Sequence, residues 1–173
     1  LPLTPLLSGV AVVDGIRAAC GLQAELEWPN DVMVADRKLA GILVRHPPGD
    51  AVIVGIGINV SAHPGSAEVA APATAIAEAL HRPVDREPVL AAILAALDAY
   101  LETAREGPTP ILDAYRRRTS MLGKRIAYVM DGADRIAIAR DVLEDGRLLV
   151  ELPDGGLAQL VAGRVRQVRD PRA

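Results

Sequence analysis

The feature that most constrains this chain is a set of three Asp-Gly pairs, at 131–132, 145–146 and 154–155, set among short apolar runs. Asp-Gly supplies the positive-φ backbone of two-residue hairpin turns, so each pair predicts a tight reversal between antiparallel strands. Between residues 124 and 168 these reversals leave room for five short strands, which suits a small barrel. A boundary is expected near 119–121, giving a first unit of residues 1–119 and a second of 120–173. The charge divides there too. Residues 119–173 hold nine basic and eight acidic side chains, whereas the remainder holds 10 and 14.

The first unit reads differently. Thr4-Pro5 resembles an N-cap and first-turn proline, and Leu6, Val10, Val13, Ile16 and Cys20 recur at helical spacing before Gly21, predicting a helix over about 5–20. Three apolar runs follow, at 24–34, 38–45 and 51–60, close enough to form an antiparallel meander; Trp28-Pro29-Asn30-Asp31 interrupts the first. Residues 61–72 read as a loop and 74–80 as a short helix. Asp85 is expected to cap a helix with an apolar stripe of Leu90, Ile93, Leu94, Leu97 and Leu101. Thr109-Pro110 starts another helix through about Arg118. The fold class is therefore α+β.

Composition excludes several functions. A net charge of −3 argues against a general nucleic-acid binder. No apolar run approaches the length of a membrane helix, and no basic segment opens a signal peptide. The single cysteine, Cys20, rules out an intrachain disulfide and a cysteine-based zinc cluster. His46, His63 and His81 have no helical pairing and read as surface residues; Ser61 and Ser66 lack a nucleophile elbow. Arg116, Arg117 and Arg118 read as a solvated helix end.

Three constellations remain. Asn30 and Asp31 interrupt an apolar strand, where polar groups are costly to bury unless paired; they form either a self-capped Asx turn or a carboxylate and amide aimed into a pocket. Lys38 begins the next strand seven residues after Asp31, which places a cation near a carboxylate across a hairpin. The plain alternative is a lysine that keeps its head in water. Gly41 marks a bulge or a close backbone approach. In Gly55-Ile56-Gly57-Ile58-Asn59 the third glycine of a dinucleotide fingerprint is absent and no helix follows, so a Rossmann reading fails. Two alternate glycines open one strand face, and Asn59 can both donate and accept at an adenine edge. Close sheet packing is the alternative there.

In this order and spacing, Trp28-Pro29-Asn30-Asp31, Arg37-Lys38-Leu39-Ala40-Gly41-Ile42-Leu43, Gly55-Ile56-Gly57-Ile58-Asn59-Val60 and Ala73-Thr74-Ala75-Ile76 resemble the catalytic core of bacterial biotin protein ligases. The resemblance implies a mixed, mainly antiparallel sheet flanked by helices, similar to class II aminoacyl-tRNA synthetases, followed by a small Src-homology-3-like β-barrel. It implies ATP-dependent activation of biotin to biotinyl-5′-adenylate and transfer to a lysine of a biotin carboxyl carrier protein, of acetyl-CoA carboxylase or a related carboxylase. ATP, Mg2+ and biotin are the implied small molecules. By position, Lys38 would contact the biotin carboxylate and the α-phosphate, and Asp31 would join it in catalysis and serve as the candidate magnesium ligand. Asn30 and Asp31 would face the nucleotide, Gly41 and Ile42 would offer backbone to biotin, Gly57 and Asn59 would receive adenine, and Trp28 would be a structural wall.

The implied location is the cytoplasm, with no membrane or nucleic-acid partner. Two departures stand out. Glu27 replaces the basic residue that commonly precedes the tryptophan, and the family's arginine-rich glycine loop and its Ser-Thr-Asn strand do not occur in these residues. The expectation is that residues 1–173 alone turn over poorly, and that an unpaired sheet edge invites a homodimer. The competing readings are an inactive paralogue serving as a nucleotide-binding or dimerisation module, and a lipoate–protein ligase-like acyl-adenylate enzyme.

Overall fold

A computed structural model describes residues 3–62, 72–130, 132–161, 163 and 165–168. The loop expected at 61–72 therefore lies mostly outside the described residues, as do His63, Ser66 and Asp131. Helix α1 (Thr4–Cys20) is followed by strands β1 (Glu25–Glu27), β2 (Asp31–Val34), β3 (Arg37–Arg45) and β4 (Ile53–Ile58). Then come α2 (Ile76–Ala79), α3 (Arg86–Thr103), α4 (Thr109–Arg116), β5 (Arg125–Met130), β6 (Ala133–Val142), β7 (Leu148–Glu151), β8 (Leu157–Leu160) and β9 (Val165–Gln167).

The expected meander is present as a four-stranded antiparallel sheet in the order β1-β2-β3-β4. The Trp28–Asn30 interruption is a full chain reversal, because β1 pairs antiparallel with β2. The Trp28–Pro29 peptide in this turn is cis. One face of the sheet is the core face. Its register row Leu26, Val32, Ala40 and Ile58 runs straight across all four strands, and the first three are almost fully buried. Helix α1 contacts every strand of this sheet and carries a buried stretch from Leu6 to Val13. It is also packed by α3 and α4, which explains why it is apolar nearly all round. Gly15 permits the closest of these contacts: a Cβ there would stand 2.6 Å from the Ile93 backbone.

Helix ends differ from expectation. The N-cap of α1 is Leu3 rather than Thr4, although Gly21 ends it with φ +78° as expected. Asp85 occupies the N-cap of α3 without a side-chain capping bond. Helix α4 stops at Arg116, two residues early. The expected stripe of α3 reaches the core fully only at Ile93. Val89 and Ile93 are buried against α1, while Leu90, Leu94 and Leu101 are exposed. The helix is rotated toward the row that lets Ile93 meet Gly15.

Strands β5–β9 form a second antiparallel sheet in the order β8-β7-β6-β5-β9. Gly132, Gly146 and Gly155 have φ between +75° and +84°, the conformation their turns require. The five expected strands are all present, but no pairing joins β8 to β9 among the described residues, and closure into a barrel is not seen. Buried residues of both sheets belong to one apolar cluster, from Leu6 and Val10 through Trp28, Tyr115 and Met121 to Ile126 and Val165.

Of the three arginines at the end of α4, Arg117 is exposed as expected, whereas Arg116 and Arg118 are bound to the rest of the fold. The Arg116 guanidinium donates to Asp141 at 2.7 and 3.0 Å and to the Val142 carbonyl at 2.9 Å, fastening α4 to β6. Arg118 donates to both Asp14 oxygens at 2.7 and 2.5 Å, and the Tyr100 hydroxyl donates to Asp14 at 2.6 Å. Burial would raise the Asp14 carboxyl, but bonds from Arg118 and Tyr100 outweigh it and hold the group below the usual range. This network ties α1, α3 and α4 together.

Candidate active site

The open face of the first sheet has its own register row: Glu27, Asp31, Gly41 and Gly57, one residue from each of four strands. Asp31, Gly41 and Gly57 were singled out from sequence; the row brings them into line. Among the described residues no atom lies within 4 Å of where a Cβ on Gly57 would stand, so this end of the face is open to them. A Cβ on Gly41 would meet Lys38 Cε and Nζ at 3.3 Å and Asp31 Oδ1 at 3.6 Å.

Lys38 Nζ donates to Asp31 Oδ1 at 2.5 Å, with both side chains about one-third exposed. Simple alternation would not aim Lys38 at this pair. Position 38 has the same parity as core-facing Ala40. The β2–β3 register shifts between Val32 and Met33, so that Met33 pairs with Lys38 while Leu39 is the extra residue. Leu39 and Ala40 are both buried, and the bulge turns Lys38 to the side of Gly41. The edge of β3 is held there by residues 72–74: Lys38 N donates to the Pro72 carbonyl at 2.8 Å and Thr74 N to the Lys38 carbonyl at 2.9 Å.

The other predicted residues have more structural surroundings. Asn30 Nδ2 donates to the Ile42 carbonyl at 2.7 Å, and Ile42 N donates to the Asn30 carbonyl at 2.9 Å. Asn30 is thus a brace across the turn, and the Ile42 side chain is buried on the core face. Asn59 Nδ2 donates to the Thr74 carbonyl at 3.0 Å, tying the end of β4 to the segment before α2 and leaving Oδ1 as its acceptor. Trp28 is 2% exposed, as a wall residue should be.

A cavity of about 560 Å3 lies beside the row, between the two sheets. Glu27, Asp31 and Lys38 line it from the first sheet, Arg166 from β9, and Trp28 and Met121 from the junction. Gly41, Gly57 and Asn59 lie outside it, further along the open face. Burial first, then the neighbouring Asp31 and Asp36 charges, push the Glu27 carboxyl up to about 7, while Arg166 and Lys38 oppose the shift. Arg166 and Met121 carried no sequence signal: neither lies in a motif, and only the docking of the second sheet brings them here.

A family model described as the biotin/lipoate A/B protein ligase family matches residues 2–60, which contain the whole row. The chain is 33% identical over 171 residues to the biotin–[acetyl-CoA-carboxylase] ligase of Mycobacterium tuberculosis, covering 95% of this chain and 62% of that protein. It is 31% identical over 161 residues to the bifunctional ligase/repressor BirA of Bacillus subtilis, covering 89% and 50%. The chain belongs to the biotin/lipoate A/B protein ligase family. It spans between half and two-thirds of the length of these two family members. Among solved structures, the family's fold is matched by the biotin protein ligase of Aquifex aeolicus in complex with biotin and ATP, with TM-score 0.83, 25% identity and coverage of 97% of this chain and 72% of that one.

Proposed function

We propose that this chain carries the catalytic core of a biotin protein ligase, which joins biotin to ATP as biotinyl-5′-adenylate and passes the biotinyl group to a lysine of a carboxylase carrier protein. The observation that carries the reading is the Lys38–Asp31 pair, held beside Gly41 on an open row that ends at Gly57. In the first step a biotin carboxylate oxygen bonds to the α-phosphorus and pyrophosphate leaves. Both reactants are anions, so a positioned ammonium lowers the barrier by screening their approach. Lys38 fills that role; Asp31 holds its Nζ in place beforehand. In the second step the acceptor amine takes the acyl group, AMP leaves, and the amine proton is released.

The backbone of Gly41 lies under biotin, and Gly57 leaves room for the adenine, with Asn59 Oδ1 as an acceptor for its amino group. Magnesium enters with ATP as substrate. No group of three or more His, Cys, Asp or Glu side chains could hold a metal among the described residues. Asp31 fits as a single carboxylate that completes a phosphate-borne ion, the usual arrangement for magnesium. Residues 1–119 are the catalytic unit and 120–173 a module of Src-homology-3 type, whose five strands form an open sheet among the described residues. The outer edge of β4 has no strand partner among the described residues, which supports association with a second copy. No helix among the described residues is long and apolar enough to cross a membrane; the carrier protein proposed as partner is cytoplasmic.

The test is titration of the chain with biotin and MgATP, separately and together, followed by pyrophosphate release and transfer to a carrier protein. Binding of both ligands and pyrophosphate release that needs both is expected. Binding of neither would overturn the proposal, and selective use of lipoate would move the chain to the lipoate branch of its family.

A further inference from the structure

The Asp145-Gly146 turn, one of the three hairpin signals, does more than reverse the chain. It lies between β6 and β7, yet its Gly146 carbonyl accepts a hydrogen bond from the Trp28 indole N–H at 2.9 Å, across 118 residues of sequence. The turn is braced to present that carbonyl. Asp145 accepts from Arg147 N at 3.1 Å and from Arg147 Nε at 2.6 Å. Gly146 N donates to the Leu143 carbonyl at 2.8 Å, and Leu143 N donates to the Arg147 carbonyl at 2.8 Å. Beside it, Arg116 grips Asp141 and the Val142 carbonyl, so the end of the β6–β7 hairpin is fixed at two points by residues that precede the second sheet, Trp28 and Arg116.

Trp28 is held at its backbone as well. Its N–H points to the Met121 sulfur at 3.1 Å, and Trp28 and Met121 are each 2% exposed. Two residues on, Asn30 makes its paired bonds with Ile42, and the next residue is Asp31 with its bond to Lys38. The chain of contacts from Gly146 through Trp28 to Asp31 is short and contains no exposed link until the ion pair itself.

We infer that the Asp145-Gly146 turn is a latch, and that Trp28 is a positioning residue through which the C-terminal sheet sets the placement of Asp31 and Lys38. The turn touches neither member of the pair, so it acts only through the indole and the Trp28–Asn30 reversal. The inference rests on the proposed function for its activity readout but not for its structural one.

The test uses the full chain and two variants at opposite ends of the latch. Trp28→Phe keeps an aromatic ring and removes the donor; Asp145→Ala combined with Arg147→Ala loosens the turn at a distance from the site. Both are expected to weaken MgATP affinity about tenfold, as small misplacements of a binding group do. Trp28→Phe also leaves a void and an unpaired Gly146 carbonyl and should lower thermal stability, whereas the double variant, which alters side chains that are each 41% exposed, should not. In the double variant, the Ile42 amide, bonded to the Asn30 carbonyl, should also exchange hydrogen faster. The single tryptophan offers a third reading, since Trp28 emission should shift in the double variant. Parent-like exchange at Ile42, together with loosened exchange at 143–148, would overturn the latch whether or not the chain binds nucleotide. Parent-like MgATP affinity in both variants would overturn it as well. Failure of the parent to bind biotin or MgATP would count against the proposed function and leave the exchange measurement to decide the latch.

Discussion

The two faces of the first sheet are built from alternate residues of the same four strands, and they solve opposite problems. On the core face, Leu26, Val32, Ala40 and Ile58 meet α1, with no polar side chain in the row. On the open face, Glu27, Asp31, Gly41 and Gly57 line up with two carboxylates, a re-aimed lysine and two missing side chains. One row contributes stability by removing apolar area from water. The other gives it up: two carboxylates face each other across a strand pair, and the glycines contribute no burial. Such local cost is expected where a surface is shaped for a ligand.

The comparison breaks most sharply at Lys38. In the proposed reaction Lys38→Ala should lower pyrophosphate release by about 10²–10³, the cost of removing one preorganised charge donor. Thermal unfolding should move little, because the side chain is one-third exposed and leaves no core void. Equal turnover by variant and parent would remove Lys38 from the mechanism.

Next comes Gly57→Val. A branched side chain suits a strand and its Cβ meets none of the described residues within 4 Å, so stability should be unchanged or higher. MgATP affinity should nevertheless fall by about tenfold or more, since the added group stands where a ligand on this face must lie. Unchanged affinity would place the nucleotide elsewhere.

A smaller effect on the core side comes from Asp14→Asn. Arg118 would lose its charged partner in a mostly buried network, at a cost of about 2 kcal/mol with no direct change at the site. The pH dependence follows from the depressed folded value. The stabilisation is present above the ordinary carboxylate range and is lost as pH falls through the lower folded value, so parent and variant should converge in acid. Parallel stability curves for the two proteins across the acid range would rule this out.

The smallest effect is at Glu27, where the sign is opposite. Its folded value is raised from 4.5 to about 7. The native state therefore holds a proton that the unfolded state releases, and stability declines as pH rises between these values. Glu27→Gln should remove this slope and stabilise the chain at pH 8 by about 1 kcal/mol, allowing for solvent screening of a partly exposed group. Chemical denaturation at several pH values checks it; an unchanged slope would mean that Glu27 is ionised in the native state at neutral pH.

Much of the architecture could be read from local signals, because it is locally decided. Gly21 ends α1 since a left-handed residue is required there, and the Asp-Gly pairs turn where glycine alone makes positive φ inexpensive. A meander of three runs and the five later strands follow from short spacing between apolar runs; that the first run doubles back at Trp28–Asn30 into two strands does not. The leucine stripe of α3 misled for a physical reason. Periodicity identifies a helix with an apolar side, but it cannot tell which members of the stripe will meet α1; Ile93 meets Gly15 and is buried with Val89 from outside the stripe, and Leu90, Leu94 and Leu101 are not.

The candidate site divides along the same line. That Asp31 and Lys38 would come near each other was readable from their hairpin spacing. That they bond was not, because alternation alone puts Lys38 on the face of Ala40, and only the register shift at Leu39 turns it over. Bulges are settled by how a strand fits its neighbours, here by Val32 and Ala40 seeking the core together while residues 72–74 hold the strand edge. The remaining determinants join residues far apart in sequence: Arg118 to Asp14, Met121 to Trp28, Gly146 to Trp28. Sequence by itself determined the elements, their turns and the motif residues, since those depend on neighbours a few positions away. Tertiary structure alone decided where Lys38 points, which arginines are paired and what holds Trp28, because each depends on a partner that only the packed chain brings within bonding distance.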